Sequence, residues 1–249
     1  MEAEKTIALL IDCDNASHVA VEGVLNELSK YGITNIRRAY GNWKSSNLGG
    51  WEDKLHPFAI QPMQQFSYTQ GKNATDAAMI IDAMDLMYTQ PLAAFALMTS
   101  DSDFTPLVMR ILTNGLKVYG FGEKKTPAPF VNACSQFIYT ENLEQSSQTD
   151  EKPTGGSTRE PKKTKKALRQ DTWLVTVLRN AADQTAEDDG WSYLGRLGQY
   201  ISNNSSFSPV NYGYTKLGDL IRATGLFETE MRNNNSVMYI RDIRKTKKR

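Results

Sequence analysis

The groups in this chain best suited to chemistry are aspartates placed where apolar runs stop. Ile7-Ala8-Leu9-Leu10-Ile11 runs into Asp12-Cys13-Asp14-Asn15, and the apolar run 93–98 ends at Thr99-Ser100-Asp101-Ser102-Asp103-Phe104. Each reads as a buried strand turning straight into a helix, and open α/β sheets hold their ligands at such carboxyl ends. A further carboxylate, Asp76, opens the apolar-periodic helix that follows Lys72-Asn73-Ala74-Thr75. Gathered on one rim, these carboxylates repel one another unless a cation neutralises them. Oxygen donors alone favour Mg²⁺ or Mn²⁺ over zinc, and such ions support in-line attack on phosphoryl groups. Asp12, Asp76, Asp101 and Asp103 are therefore the expected metal ligands, Asp103 directly or through water. Asn15 and Ser100 are expected to orient carboxylates or water, and Lys72 to meet a substrate phosphate. Taken singly, each aspartate reads equally well as a helix cap or turn residue. Asp14, beside Asn15 and ahead of a helix, reads as a cap, and Asp82 and Asp85 as solvated or locally paired helix positions.

The elements that must position these groups are legible from periodicity. Residues 17–30 carry Val19, Val21, Val24, Leu25 and Leu28 at helical spacing, closed by Gly32, and 33–40 reads as a strand. A polar, glycine-rich loop, 41–51, holds Trp43 and Trp51. A helical turn over 52–58 and a short strand over 59–66 follow. The Asp76 helix continues through Met79, Ile80, Ala83, Met84 and Met87. After the strand ending at Asp101 come a helix to Asn114 capped by Gly115, a strand over 117–121, a short helix over 126–133 and a last strand over 137–139. Strands alternating with helices of this length predict a parallel, doubly wound sheet.

Bulk properties narrow the class. The chain has 249 residues, 40% of them hydrophobic, enough for one large domain or two ordinary ones. No window approaches the ~20 apolar residues needed to span a bilayer. The acidic start, Met1-Glu2-Ala3-Glu4-Lys5, does not read as a signal peptide. Cys13, Cys134, His18 and His56 form no zinc-type spacing, and two lone cysteines fit a reducing, cytoplasmic setting. Charge is uneven: residues 1–143 carry 11 Lys and Arg against 15 Asp and Glu, and residues 144–249 carry 18 against 13. An acidic front and a basic rear suit a metal-binding or catalytic domain joined to something that approaches phosphates.

Domain boundaries follow from composition. Residues 1–143 form the first domain. Residues 144–167 read as a flexible basic linker, ending in Lys162-Lys163-Thr164-Lys165-Lys166. Residues 168–243 read as helices over 168–182, 193–201 and 216–224, then strands flanking Arg232-Asn233-Asn234-Asn235, the pattern of a winged helix. Residues 244–249 are a basic tail.

Several of these stretches carry a family resemblance. Leu10-Ile11-Asp12-Cys13-Asp14-Asn15, Arg38-Ala39-Tyr40-Gly41-Asn42-Trp43, Lys72-Asn73-Ala74-Thr75-Asp76, Thr99 through Leu107, and Val118-Tyr119-Gly120-Phe121-Gly122 occur in the order found in LabA-like NYN domains. The front half resembles that family, a relative of PIN-domain nucleases. The resemblance implies a PIN-like α/β/α sandwich and metal-dependent ribonuclease activity, with its acidic site on Asp12, Asp76, Asp101 and Asp103. Trp191-Ser192-Tyr193-Leu194-Gly195 and Tyr212-Gly213-Tyr214-Thr215-Lys216-Leu217 resemble the OST-HTH, or LOTUS, winged helix. Relatives of that module bind RNA, including G-rich structured RNA, and some bind helicases, so a protein partner is also expected there.

The residues themselves agree on RNA. Trp43 and Trp51 on a polar loop can stack unpaired bases, and Lys44 can meet the backbone; equally, one tryptophan can anchor the loop to the core. Tyr212, Tyr214 and Lys216 can touch RNA, although Tyr214 reads equally as core. The leading expectation is a Mg²⁺ or Mn²⁺ ribonuclease, an endonuclease, whose rear module engages single-stranded or structured RNA. Two alternatives stand beside it. One is a non-catalytic RNA-binding scaffold. The other is a haloacid-dehalogenase-like phosphatase, because Asp12-Cys13-Asp14 copies that family's opening motif. Nothing in the sequence indicates an oligomeric state.

Overall fold

The structure is a computed structural model that describes residues 4–65, 74–143 and 162–246. Lys72 lies outside the described residues. The chain divides into two units, Met1–Ser157 and Thr158–Arg249. No helix among the described residues is long and apolar enough to cross a membrane.

The first unit is a six-stranded parallel sheet in the order β3-β2-β1-β4-β5-β6. Its strands are β1 Thr6–Asp12, β2 Ile33–Gly41, β3 Gln61–Gln64, β4 Ala94–Met98, β5 Lys117–Gly122 and β6 Gln136–Tyr139. They alternate with α1 Val21–Leu28, α2 Gly49–Leu55, α3 Ala74–Thr89, α4 Thr105–Thr113 and α5 Ala128–Ala133. The central strands β1 and β4 are buried almost throughout, as continuous apolar runs in a sheet covered on both faces must be. The α3 residues Met79, Ala83, Leu86 and Met87 recur at helical spacing and pack on one face with Phe104, Leu107, Val108 and Ile111 around α4.

Two glycines near helix ends do different jobs. Gly115 follows α4 at φ +81°, the left-handed conformation that a glycine adopts without steric cost. Gly32 is not a left-handed cap. The Lys5 carbonyl passes so close that a Cβ there would stand 2.2 Å from its oxygen. The loop expected over 41–51 also differs: α2 starts at Gly49, inside it, because Trp51 buries its ring there.

The order of strands decides where chemistry can sit. From β1 the chain moves outward through β2 to β3, and from β4 it moves the other way through β5 to β6. The connections after β1 and β4 thus part in opposite directions, leaving a crevice at their carboxyl ends.

The second unit contains α6 Lys165–Gln170, α7 Thr172–Gln184, α8 Leu194–Asn204, α9 Leu217–Thr224 and α10 Ile243–Thr246. Its antiparallel sheet, in the order β7-β9-β8, is formed by β7 Ser192–Tyr193, β8 Phe227–Arg232 and β9 Val237–Asp242. The single helix expected over 168–182 is two. Asp171 accepts a hydrogen bond from the Leu174 amide at 2.9 Å and starts α7 afresh. The first of the two reaches back to Lys165, into the lysine run read as linker, and Thr164 caps it by accepting from the Ala167 amide. Asn233, Asn234 and Asn235 all adopt positive φ at the hairpin tip, where asparagine is the best tolerated of the non-glycine residues. Leu174, Leu178, Leu197, Ile201, Leu220 and Ile240 form the core.

Candidate active site

Asp12 is the last residue of β1 and is fully buried. A carboxylate in that position needs donors, and it has three. The Asp14 amide donates to Oδ1 at 3.1 Å, while Asn15 Nδ2 and Thr99 Oγ1 donate to Oδ2 at 2.9 and 2.7 Å. All three are electrically neutral. Burial consequently dominates and raises the Asp12 carboxyl above its ordinary range, against the lowering effect of Thr99 and Asn15.

Asn15 therefore orients a carboxylate, as the sequence suggests. Ser100 does something else: its hydroxyl accepts from the Glu123 amide at 2.9 Å, which holds the turn after β5. The residue with the role expected of Ser100 is its neighbour Thr99, which sequence reasoning missed. Thr99 is fully buried, donates to Asp12 and accepts from the Asp101 amide at 3.1 Å, so one hydroxyl joins the β1 and β4 ends. The Ser100 amide adds a second stitch by donating to the Asn15 carbonyl at 3.2 Å. The available signal was strand alternation past Met98, which turns Thr99 inward.

Asp101 is half-buried and accepts from the Asp103 amide at 2.8 Å, capping the 3₁₀ turn Ser102–Phe104. The cap reading of this residue therefore holds. Asp103 is exposed. Asp76 lies in the first turn of α3, and its carboxyl is pushed up to about 6. Burial is the first cause; the negative charges of Asp12, Asp101, Asp103 and Asp14 follow. Carboxylates from three separate elements therefore act on one another electrostatically. Asp14 belongs to this group rather than capping a helix: its carboxylate accepts from Thr75 Oγ1 at 3.2 Å, and Ser17 stands at the N-cap of the following turn.

Asp82, two turns into α3, is not a solvated helix position. It pairs with Arg38 and accepts a hydrogen bond from the Tyr40 hydroxyl, both on β2. That pairing ties α3 to the sheet and so helps set where Asp76 sits. Asp85 is exposed, as expected.

The donor chemistry suits a hard divalent cation. Every carboxylate at the rim is an oxygen ligand, and the mutual repulsion felt at Asp76 is what a cation would relieve. Among the described residues, no three Asp, Glu, His or Cys side chains are grouped closely enough to hold an ion as they stand. Cys13, next to Asp12, is buried, and its thiol is pushed far up by burial and by Asp12 and Asp14, which leaves it inert as a ligand or nucleophile.

The aromatic candidates sort differently from their sequence reading. Trp51 is 2% exposed and meets His18 edge-on, so it anchors α2 rather than stacking on a base. Trp43 is half-buried, its indole N–H donating to the Met63 carbonyl at 3.2 Å, while Lys44 beside it is exposed. In the second unit Tyr212 and Tyr214 are 6% and 7% exposed and belong to the core, which removes them as stacking platforms. Lys216 is exposed.

Comparison with known proteins fits this architecture. The NYN domain model matches residues 6–144, and the OST-HTH/LOTUS domain model matches residues 165–239. The uncharacterized protein MJ0482 of Methanocaldococcus jannaschii is 30% identical over 125 residues, 49% of each chain, so the match spans about half of that relative's length. A crystal structure of a protein of unknown function from Vibrio parahaemolyticus, VPA0982, is similar over 56% of this chain and 94% of its own, at 18% identity and a TM-score of 0.46. With an NYN model spanning the whole parallel sheet and its acidic rim, this chain belongs to the NYN domain family of PIN-like nucleases and carries an OST-HTH/LOTUS domain behind it.

Proposed function

We propose that this protein is a divalent-metal-dependent ribonuclease, cutting RNA internally, with the OST-HTH/LOTUS domain engaging the RNA. The observation that carries the reading is Asp12, fully buried at the β1 end and tied through the Thr99 hydroxyl to the β4 end that carries Asp101 and Asp103. Like charges meet here at the crevice between β1 and β4, and among the described residues no arginine or lysine bonds to Asp12. Such a cluster is costly for folding alone and useful for binding a cation.

Asp12, Asp76, Asp101 and Asp103 would hold Mg²⁺ or Mn²⁺, with Asp14 alongside. When bound, the ion supplies charge neutralisation at the phosphate and makes water a competent nucleophile. The chain's own part is positioning. Thr99, Asn15 and the Asp14 amide fix both oxygens of Asp12, so its geometry survives the arrival of substrate. Asp101 and Asp103 sit on a tight turn at the mouth of the crevice, Asp103 exposed to incoming chain. Hydrolysis is then in-line attack of water on phosphorus with expulsion of one ester oxygen. A phosphatase using Asp12 as nucleophile is a poorer reading, because Asp12 is fully buried and already accepts three hydrogen bonds.

The test is cleavage of end-labelled single-stranded and structured RNAs by wild type and Asp101→Asn, each with Mn²⁺ and with EDTA. Cutting confined to wild type with Mn²⁺ is the expected result. Undiminished cutting by Asp101→Asn would overturn the site assignment, and failure to cut any RNA would favour a non-catalytic RNA-binding scaffold.

A further inference from the structure

The second unit separates its charges. Every arginine from Arg179 to Arg244 is ion-paired: Arg232 with Glu230 and Asp189, Arg241 with Glu228, Arg222 with Asp219, Arg196 with Glu187, and both Arg179 and Arg244 with Asp242. Lys245 is paired with Asp183. The wing sheet does expose aromatic rings, Tyr193 at 41%, with Arg232 over Tyr239 and both Arg232 and Arg241 over Trp191. Those guanidiniums are nevertheless neutralised, and Asp189, Glu228 and Glu230 would meet a polyanion first.

The cations of this unit that form no ion pair among the described residues are Lys162, Lys163, Lys165, Lys166, Arg169 and Lys216. All are exposed, and all belong to α6, its lead-in segment or the start of α9. α6 packs on α9. Arg169 donates to the Thr224 carbonyl at 2.9 Å and to that of Gly225, at the carboxyl end of α9. Lys165 lies against the same place: a Cβ on Gly225 would stand 2.5 Å from its ammonium.

The lead-in is held rather than trailing. The Tyr214 hydroxyl donates to the Lys163 carbonyl at 3.3 Å, and the Lys163 amide donates to the Tyr212 carbonyl at 3.4 Å. Lys163 and Lys162 place their ammoniums 4.6 and 5.4 Å from the Tyr212 and Tyr214 ring centres. Lys165 and Lys166 occupy the first turn of α6 with no acid there. Pre-ordered, unneutralised positive charge is complementary to phosphate.

We infer that the α6–α9 face, through Lys162, Lys163, Lys165, Lys166, Arg169 and Lys216, is the surface that grips the RNA phosphate backbone, and that the wing is not. This rests on the RNA reading of the domain given above and specifies how that domain binds. With Tyr212 and Tyr214 buried beneath the lysines, the grip is electrostatic and indifferent to base.

The test uses the full chain in EDTA, binding labelled oligo-U and oligo-C over a range of salt. Replacing Lys162, Lys163, Lys165 and Lys166 together by Gln should lower the slope of log K against log salt by about 3, from about 0.7 per phosphate contact on a single strand. It should weaken binding of both oligomers alike. The matching Lys→Arg variant should restore the slope, and Arg232→Gln/Arg241→Gln should bind as wild type does. Wild-type affinity and slope in the four-Gln variant, or loss of binding in the wing variant, would overturn this surface while leaving RNA binding itself intact. A wild-type chain that binds neither oligomer would sink the RNA reading and this surface with it.

Discussion

Among the described residues each unit buries one aspartate at the end of a strand, and the two are solvated in opposite ways. Asp12 closes β1 fully buried, and the donors that reach it among the described residues are neutral. Asp242 closes β9 at 3% exposure, with Arg244 at 2.7 Å, Arg179 at 3.3 Å and the Arg244 amide at 2.9 Å. Burial raises both, but at Asp242 the hydrogen bonds and charge of Arg244, then the charge of Arg179, reverse it and leave the carboxyl below its ordinary range. At Asp12 nothing reverses it. A buried carboxylate with its own cations is a structural staple. One held by neutral groups, with three more carboxylates acting on Asp76 beside it, lacks that internal compensation.

The comparison can be broken most forcefully by substitution. Asp12→Asn or Asp101→Asn should reduce RNA cleavage by about a thousandfold or more, the scale of losing a stabilising group at a reacting centre, whereas Asp242→Asn should leave the cleavage of short RNAs near wild type. Single-turnover kinetics with Mn²⁺ decides it; a large loss in Asp242→Asn would erase the distinction. Stability should reverse the ranking. Asp242→Asn leaves Arg179 short of its partner and should cost about 3 kcal/mol in the second unit, read by urea unfolding followed through hydrogen exchange.

Proton linkage sharpens the contrast. Asp76 has a folded-state value of about 6 against an ordinary 3.8, so its contribution to stability is fully present below 3.8 and is lost as pH rises through about 6. Asp242 is lowered in the folded state, so its contribution is present above 3.8 and is lost as pH falls below that. Raising pH from 4 to 7 without divalent ions should therefore weaken exchange protection in the first unit and not in the second. Mn²⁺ at neutral pH should restore it, and Asp76→Asn should flatten the dependence. Parallel behaviour of the two units would count against the assignment.

A smaller effect is expected at Thr99. Thr99→Val removes a hydroxyl bonded to a charged group, worth about 1.5–3 kcal/mol, and should slow cleavage by roughly ten- to a hundredfold, since each 1.36 kcal/mol is tenfold. Thr99→Ser should restore most of the rate, because the hydroxyl positions Asp12. Loss in Thr99→Ser with a wild-type rate in Thr99→Val would assign the effect to packing of the methyl group.

What one strand or helix decides for itself was readable in the residues. The apolar runs before Asp12 and Asp101 specify buried strands, their abrupt ends place carboxylates at strand tips, and alternation with helices specifies a parallel sheet, because these depend on neighbours along the chain. Partnership across the fold was not readable. Asp82 finds Arg38 and Tyr40, 44 and 42 residues away, Asp14 finds Thr75, and Thr99 reaches Asp12 87 residues away. The tyrosines and Trp51 read as base platforms, but burial is a property of what packs above a ring and no local pattern encodes it. Sequence periodicity placed the aspartates at strand ends; the sheet order, by running β1 and β4 side by side and sending their connections apart, decided that those ends lie beside one crevice.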